Sequence, residues 1–398
     1  MRATGVQGDD ISAMRIALLM KRYSLKRGGG EYDLVRLSSS LLKRGHEVHL
    51  FVHDIEGETD PKLVFHKVPM NRAWAPLKIL SFARNAPRVV EESGLDFDVI
   101  HAMTQTFPSD LYWNGGGLQI NWLRERYSPG VLSRAWMNPR HAANLWVEKN
   151  LFVPGHYRHI VSLTSMEKDQ ILGDYKVPAD RFHVIPNGID PERFNPETRQ
   201  KYRTDSRRKL GVSDDQKLLL VVGSDGCRKG FPQLFQALGK LPSTLNWRLA
   251  IAGNDPPQRW LPSVKREGLD GKVYFLAHEK HIERLYAAAD LVIMASLFEG
   301  YGNVIPEAMA CGCPVLTTRQ VGAADFITPG VDGWILSSCK NIPEYTSALE
   351  EILSLQDLDP FGWKAVQKVK PFTWDWTVDR LEEVYHLIRK EKSTGITA

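Results

Sequence analysis

The sequence predicts an α/β protein of two doubly wound domains, and three observations carry that prediction. Short apolar runs of strand length alternate with amphipathic stretches of helix length, which implies parallel strands joined by crossover helices. The alternation runs twice, before and after a stretch at 186–200 that is rich in Pro, Asn and Gly. At 398 residues the chain is long enough for two domains with adequate cores.

The leader at 1–13 holds no apolar signal-peptide core and is expected to be a disordered tail. The first strand is expected at 14–20, followed by a basic loop and the triplet Gly28, Gly29, Gly30. A helix is expected at 31–43, with Leu34, Leu37, Leu41 and Leu42 on one side, and a second strand at 47–52. Another strand is expected at 98–101. The second half shows five apolar runs, at 218–222, 248–252, 273–276, 291–294 and 314–316. These give one domain at 14–190, a second at 191–373 and a last amphipathic helix at 374–398. Two such domains would turn the carboxyl ends of both sheets toward one central cleft, where ligands of open α/β sheets bind.

Composition narrows the function. The chain is 43% apolar and 25% charged, and no apolar run reaches the roughly 18 residues of a membrane span. The four cysteines (Cys227, Cys311, Cys313 and Cys339) form no framework and fit a reducing compartment. Cys311 and Cys313 lack the partner pair a zinc site needs and read as packing at a helix end. Net charge is only +4, but residues 61–90 hold six basic residues and no acidic one, with Trp74 and Leu77 interleaved. A second basic-aromatic span at 122–159 includes Arg124, Arg126, Arg134, Trp136, Arg140, Trp146 and Lys149. Such spans suit anionic headgroups or an anionic glycolipid, although solvated helix faces look the same. No nucleic-acid-binding motif accompanies the charge.

The densest chemistry lies in FEGYGNVIPEAMACGCPV, residues 298–315. Glu299 and Glu307 stand eight apart, with Gly300 and Gly302 between them. A short helix is expected at 305–311, with Pro306 tolerated in its first turn and Gly312 at its C′ position. Free N–H groups between the carboxylates, at Asn303 and Val304, can hold a diphosphate, and the carboxylates can hold sugar hydroxyls. An ordinary loop-to-helix junction would also favour acid in its first turn. Upstream, Gly223-Ser-Asp-Gly-Cys-Arg-Lys-Gly230 follows an expected strand directly. There the glycines admit a phosphate, and Arg228 and Lys229 can neutralise a departing one. The triplet at 28–30 opens the first helix and can cradle a phosphate or sugar from the opposite wall. It is not G-x-G-x-x-G, so a dinucleotide site with Asp54 is a weaker reading. Asp33 is a candidate acceptor contact or a solvated first-turn carboxylate. Asp96 and Asp98 spell D-x-D but sit at the amino end of a strand, away from the cleft, and read as a turn. His101 reads as a packed histidine.

The 298–315 stretch closely resembles the E-x7-E signature of the retaining glycosyltransferases of family 4, which have the GT-B fold. The segment 184–190 (VIPNGID) and the final run from Thr373 resemble the same family, so the resemblance covers nearly all of 14–390. It implies two Rossmann-like domains, the first on the acceptor side and the second binding a nucleotide sugar, with a last helix crossing back to the first domain. It implies that Glu307 binds ribose and Glu299 the donor sugar, with Arg228 and Lys229 on the diphosphate. Gly28, Gly29, Gly30, Gly302, Asn303 and Val304 would complete the donor site. The adjacent Arg228 and Lys229 resemble the lipopolysaccharide core glucosyltransferase I subfamily. Many family members carry a histidine near the donor sugar; the matching region, 111–118, has none, and Asn114 or the glycines take its place.

The resemblance therefore implies a metal-independent hexosyltransferase with no cofactor, its co-substrate a nucleotide sugar such as UDP-glucose. The acceptor would be an anionic glycolipid or polysaccharide such as the lipopolysaccharide core. The enzyme would be cytoplasmic and peripheral on the inner membrane. Two other readings stay open: a UDP-sugar epimerase of the same architecture, and a non-catalytic nucleotide-sugar-binding protein.

Overall fold

The computed structural model describes residues 13–24, 29–132, 134–276 and 279–396. The leader apart from Ala13, the second half of the basic loop (25–27) and Gly28 lie outside the described residues; the first half of that loop holds a short strand, Arg22–Ser24, paired with Asp54–Glu56. Two parallel sheets form the framework. The first has seven strands in the order Val64–Lys67, Glu47–Val52, Arg15–Leu19, Val99–Ala102, Leu111–Asn114, His159–Ser162 and Phe182–Val184. The second has six, in the order Val273–Leu276, Trp247–Ala252, Lys217–Val222, Leu291–Met294, Val315–Thr318 and Gly333–Leu336. In both, the order reverses beside the first strand, which opens a crevice at the carboxyl ends. The two domains are Rossmann-like.

Strands of this kind are covered on both faces, so they read as continuous apolar runs. Leu218, Leu219, Leu220 and Val221 are all buried, as are Ile16 to Leu19. The expected strands at 47–52, 273–276 and 291–294 match residue for residue. Five strands of these sheets were not among the expected ones, Leu111–Asn114 and four others. Val64–Lys67 is a half-exposed edge, Phe182–Val184 is only three residues long, and Gly333–Leu336 begins on a glycine. His159–Ser162 opens on a histidine, whose Nε2 lies 3.3 Å from Glu391.

The last helix, Trp374–Ser393, begins in the second half of the chain and docks on the first domain. Thr373 caps it, its hydroxyl accepting the Trp376 amide at 3.3 Å. Arg44 donates to Asp379 and Glu382 at 2.6 Å each, and His46 meets Glu382 at 2.8 Å. Tyr385 lies 2.7 Å from His101 Nδ1. His101 is therefore a packed residue, stacked against Trp113. Burial pushes its pKa down to about 3, so it is neutral. The segment 186–190 threads beneath the start of this helix. Ile189 bridges Thr373, and a Cβ on Gly188 would stand 2.3 Å from the Trp374 Cα. Only glycine fits between the interdomain segment and the helix backbone. Among the described residues no helix is long and apolar enough to cross a membrane.

Gly188→Ala is expected to destabilise the fold by about 2 kcal/mol through overpacking against backbone that cannot move aside. Its urea midpoint falls below that of the native chain; an unchanged midpoint would show that the last helix yields.

Candidate functional site

The second domain supplies two loops from neighbouring strands. After Lys217–Val222 the chain turns through Gly223 at φ 139° and Asp225 at φ 66°, then enters the helix Phe231–Gly239. The Asp255 carboxylate braces this turn, accepting the amides of Asp225 at 3.2 Å and Gly226 at 2.5 Å. After Leu291–Met294 comes the second loop, which leads to the helix Val304–Ala310 and ends on Gly312 at φ 75°. The Leu297 amide donates to the Arg228 carbonyl at 2.8 Å and ties the loops together.

This places Glu299 against both cations. Its Oε2 lies 2.5 Å from the Arg228 guanidinium and 2.8 Å from Lys229 Nζ. Burial alone would raise the Glu299 pKa, but Lys229 and Arg228 overcome it and hold the carboxyl below its usual range. Burial likewise pulls Lys229 down, with Glu299 supporting its charge. The group therefore remains an ion pair.

Glu307 lies in the first turn of the following helix and is half-buried. The Tyr286 hydroxyl donates to its Oε2 at 2.8 Å. Burial pushes its carboxyl up to about 7, against the pull of Tyr286 and Arg193. Asn303 caps the same helix, with Val304 its first residue and Gly302 at φ 97° just before. The Asn303 side chain faces the first domain. Asn187, on the interdomain segment, donates at 2.9 Å to both Asp33 Oδ2 and Asn303 Oδ1, and Asn303 donates to Asp33 Oδ1 at 3.4 Å. Asp33 is thus a buried carboxyl at the junction of three segments rather than a solvated first-turn acid. Burial, with Glu307 nearby, raises it to about 8.

Between the domains lies a cavity of about 520 Å³. Gly30, Asp33, Trp113 and Asn114 line it from one side, and Asp225 and Arg228 from the other. Gly29, at φ 72°, caps the first helix. Asn114 is buried, and its Oδ1 accepts from Tyr112 at 3.2 Å while Nδ2 has no hydrogen-bond partner. Asp98 accepts the Arg15 amide at 2.8 Å at the opposite end of the sheet, apart from this group. Among the described residues no group of three or more His, Cys, Asp or Glu is arranged to hold a metal ion.

Glu299, Arg228 and Lys229 thus form one group. Glu307, Asn303 and Asp33 form a second, and the two share the E-x7-E loop and helix. Tyr286 and Arg193 join the second group without any sequence signal, because each meets its partner through tertiary folding. The VIPNGID segment did mark Asn187, though not its partners.

Two family models match the chain: Glycosyltransferase Family 4 over 27–193 and Glycosyl transferases group 1 over 202–360. The lipopolysaccharide glucosyltransferase WaaG of Escherichia coli is 27% identical over 351 residues, 87% of this chain and 91% of that protein. A D-inositol 3-phosphate glycosyltransferase of Mycolicibacterium smegmatis is 25% identical, over 90% of this chain and 86% of its own. The crystal structure of a WaaG superposes with a TM-score of 0.81 at 24% identity, covering 93% of this chain and 99% of that one. Anabaena HepE, in complex with UDP and glucose, superposes at 0.70 with 19% identity, covering 93% and 99%.

A Cβ on Gly300 would lie 2.4 Å from the Gly117 amide nitrogen across the cleft. Gly300→Ala is expected to part the two loops and to speed hydrogen exchange at 115–118 at least about tenfold, the effect of losing roughly 1.4 kcal/mol of local contact. Unchanged exchange there would show that the loops do not support each other.

Proposed function

This chain belongs to glycosyltransferase family 4, and from that premise we propose that it moves glucose from UDP-glucose to a glycolipid acceptor, with retention and without a metal. The observation that carries this reading is the pairing of Glu299 with Arg228 and Lys229, at the carboxyl edge of the second sheet. Two cations gathered there can take a diphosphate, and they strengthen their hold as charge builds on the leaving group. Glu299 occupies them in the unliganded chain. Donor binding exchanges this carboxylate for the diphosphate and frees Glu299 to hold the sugar. Glu307 holds the ribose hydroxyls, and the amides of Asn303 and Val304 meet the phosphates. Gly302 lets the loop pass close beneath them. Gly29 and Gly30 close over the donor from the first domain.

In the transfer step the bond from C1 to the phosphate oxygen breaks. The acceptor hydroxyl oxygen bonds to C1 on the same face, and its proton passes to the departing phosphate oxygen. The protein positions the reactants and stabilises charge. The activity of WaaG, a lipopolysaccharide glucosyltransferase, supports a lipopolysaccharide core acceptor, and the complex of HepE with UDP-glucose supports UDP-glucose as donor.

The same reading places the enzyme in the cytoplasm, on the inner face of the membrane. Trp74, Trp136, Met137 and Trp146, all on the first domain, are more than half exposed. Arginines and lysines flank them, the pattern of an interfacial anchor on anionic lipid. Vesicles containing phosphatidylglycerol should retain the native protein at low salt and release it as salt rises. The double variant Trp136→Ala, Trp146→Ala binds them at least about fivefold more weakly. Equal binding by native and variant protein, or none by either, removes this surface from the account.

The function itself is tested by UDP release from UDP-glucose, with excess chelator, in the presence and absence of lipopolysaccharide core acceptor. Native protein releases UDP and glucosylates the acceptor with chelator present. Glu307→Ala weakens UDP-glucose binding about 10- to 100-fold, the worth of hydrogen bonds to a charged group. Free glucose without acceptor dependence, or activity abolished by chelator, contradicts the reading.

A further inference from the structure

Glu167 is a buried acid that the reaction above does not use. It sits in the first turn of the helix Ser165–Asp174, whose cap Thr164 accepts the Glu167 amide at 3.1 Å. Thr164-Ser-Met-Glu167 has the form of a capping box, in which the glutamate reaches back to an amide before the helix. Oε2 reaches one residue beyond the N-cap, accepting the Leu163 amide at 3.0 Å. A capping-box glutamate has no need of burial, yet Glu167 is fully buried.

What buries it is the contact between the two domains. A Cβ on Gly300 would lie 2.7 Å from Glu167 Oε1, so that oxygen stands directly against the loop carrying Glu299. The same Cβ would strike Gly117, and a Cβ on Gly117 would meet the Phe298 ring at 2.8 Å. On the far side a Cβ on Gly322 would lie 2.8 Å from Thr164 Cγ2, while the Gly322 amide donates to the Glu299 carbonyl at 3.1 Å. Asp325 accepts the Ser165 amide at 2.8 Å and joins the same helix to the second domain. Three glycines thus meet backbone to backbone, and one side chain from the first domain fills the space behind them.

We propose that Glu167 is a positioning residue for the transfer reaction: its buried carboxyl joins the glycine turn at 115–117 to the Glu299 loop and so sets where Glu299 stands in the closed cleft. Burial raises the carboxyl to about 8; the amides of Leu163 and Gly117 pull it down, and Asp325 pushes it up. Tyr112 and Tyr301 also face it, both with pKa values pushed upward by burial, so neither supplies a charge. In the closed cleft Glu167 is therefore neutral at neutral pH. Because its closed pKa lies above the ordinary value of 4.5, its support for closure is complete below about 4.5 and is lost as pH rises through about 8.

The inference rests on the transferase reading, and its test uses Glu167→Gln and Glu167→Ala in the full chain. The glutamine keeps the shape of the neutral acid and cannot ionise. The ratio of its kcat/KM to the native value, with UDP-glucose and acceptor, should rise about tenfold from pH 5.5 to pH 8.5. Asp33 and Glu307 titrate in both proteins and cancel from that ratio. Glu167→Ala should lower kcat at least about tenfold while UDP affinity, set by the second domain, stays within about twofold. A flat ratio, or UDP affinity falling in step with kcat, overturns the proposal. Hydrogen exchange at 115–118 gives a readout independent of turnover. It should quicken with pH, beyond the intrinsic rate, in the native chain and not in Glu167→Gln. The opposite result overturns the proposal even if UDP-glucose proves the wrong donor.

Discussion

A half-buried carboxylate held between two cations is the constraint around which this structure is arranged. Glu299 stays ionised in its half-buried site because Arg228 and Lys229 both reach it. That requires two loops, from strands adjacent in the sheet, to end at the same edge and in contact. The Asp255 brace, the Leu297 to Arg228 backbone bond and the left-handed turns at Gly223 and Gly230 serve that end. A doubly wound sheet supplies the edge, since the carboxyl ends of its strands all face one way. The group remains partly exposed to the cleft, so a diphosphate can reach the cations that the carboxylate now holds.

The second dependence runs between domains. Asp33, Asn187 and Asn303 come from the first helix, the interdomain segment and the cap of the Glu307 helix, and they form one closed set of hydrogen bonds. Glu167 lies across the cleft contact from the other side, beneath Gly117 and Gly300. Asp33 and Glu167 are buried and both have raised pKa values, whereas Glu299 is held in an ion pair beside the cavity. The last helix holds the two halves in register, with Gly188 and Trp374 in direct backbone contact.

Much of this was legible in the sequence where chemistry is local. Glu299, Glu307, Arg228 and Lys229 lie in short motifs whose spacing is set by one loop and one helix turn. The core strands showed themselves because parallel strands are apolar on both faces. Edge strands such as Val64–Lys67 did not, having one face in water. The partners of Asp33 could not be read, because Asn187 is 154 residues away and only the fold brings it near. Asp33 therefore passed for a possible solvated acid. Glu167 was not singled out in the sequence; its capping-box pattern explains its helix but not its burial, which follows from three glycines in different loops meeting at one point.

The central claim is that Glu299 stands where a diphosphate belongs, and UDP affinity of Glu299→Gln, measured by calorimetry at neutral pH, tests it most directly. Removing the carboxylate charge while keeping its shape leaves Arg228 and Lys229 free for the ligand. UDP should then bind at least about fivefold more tightly than to the native chain, a gain of roughly 1 kcal/mol. Unchanged or weaker binding would contradict the account, because it would place the diphosphate away from the two cations.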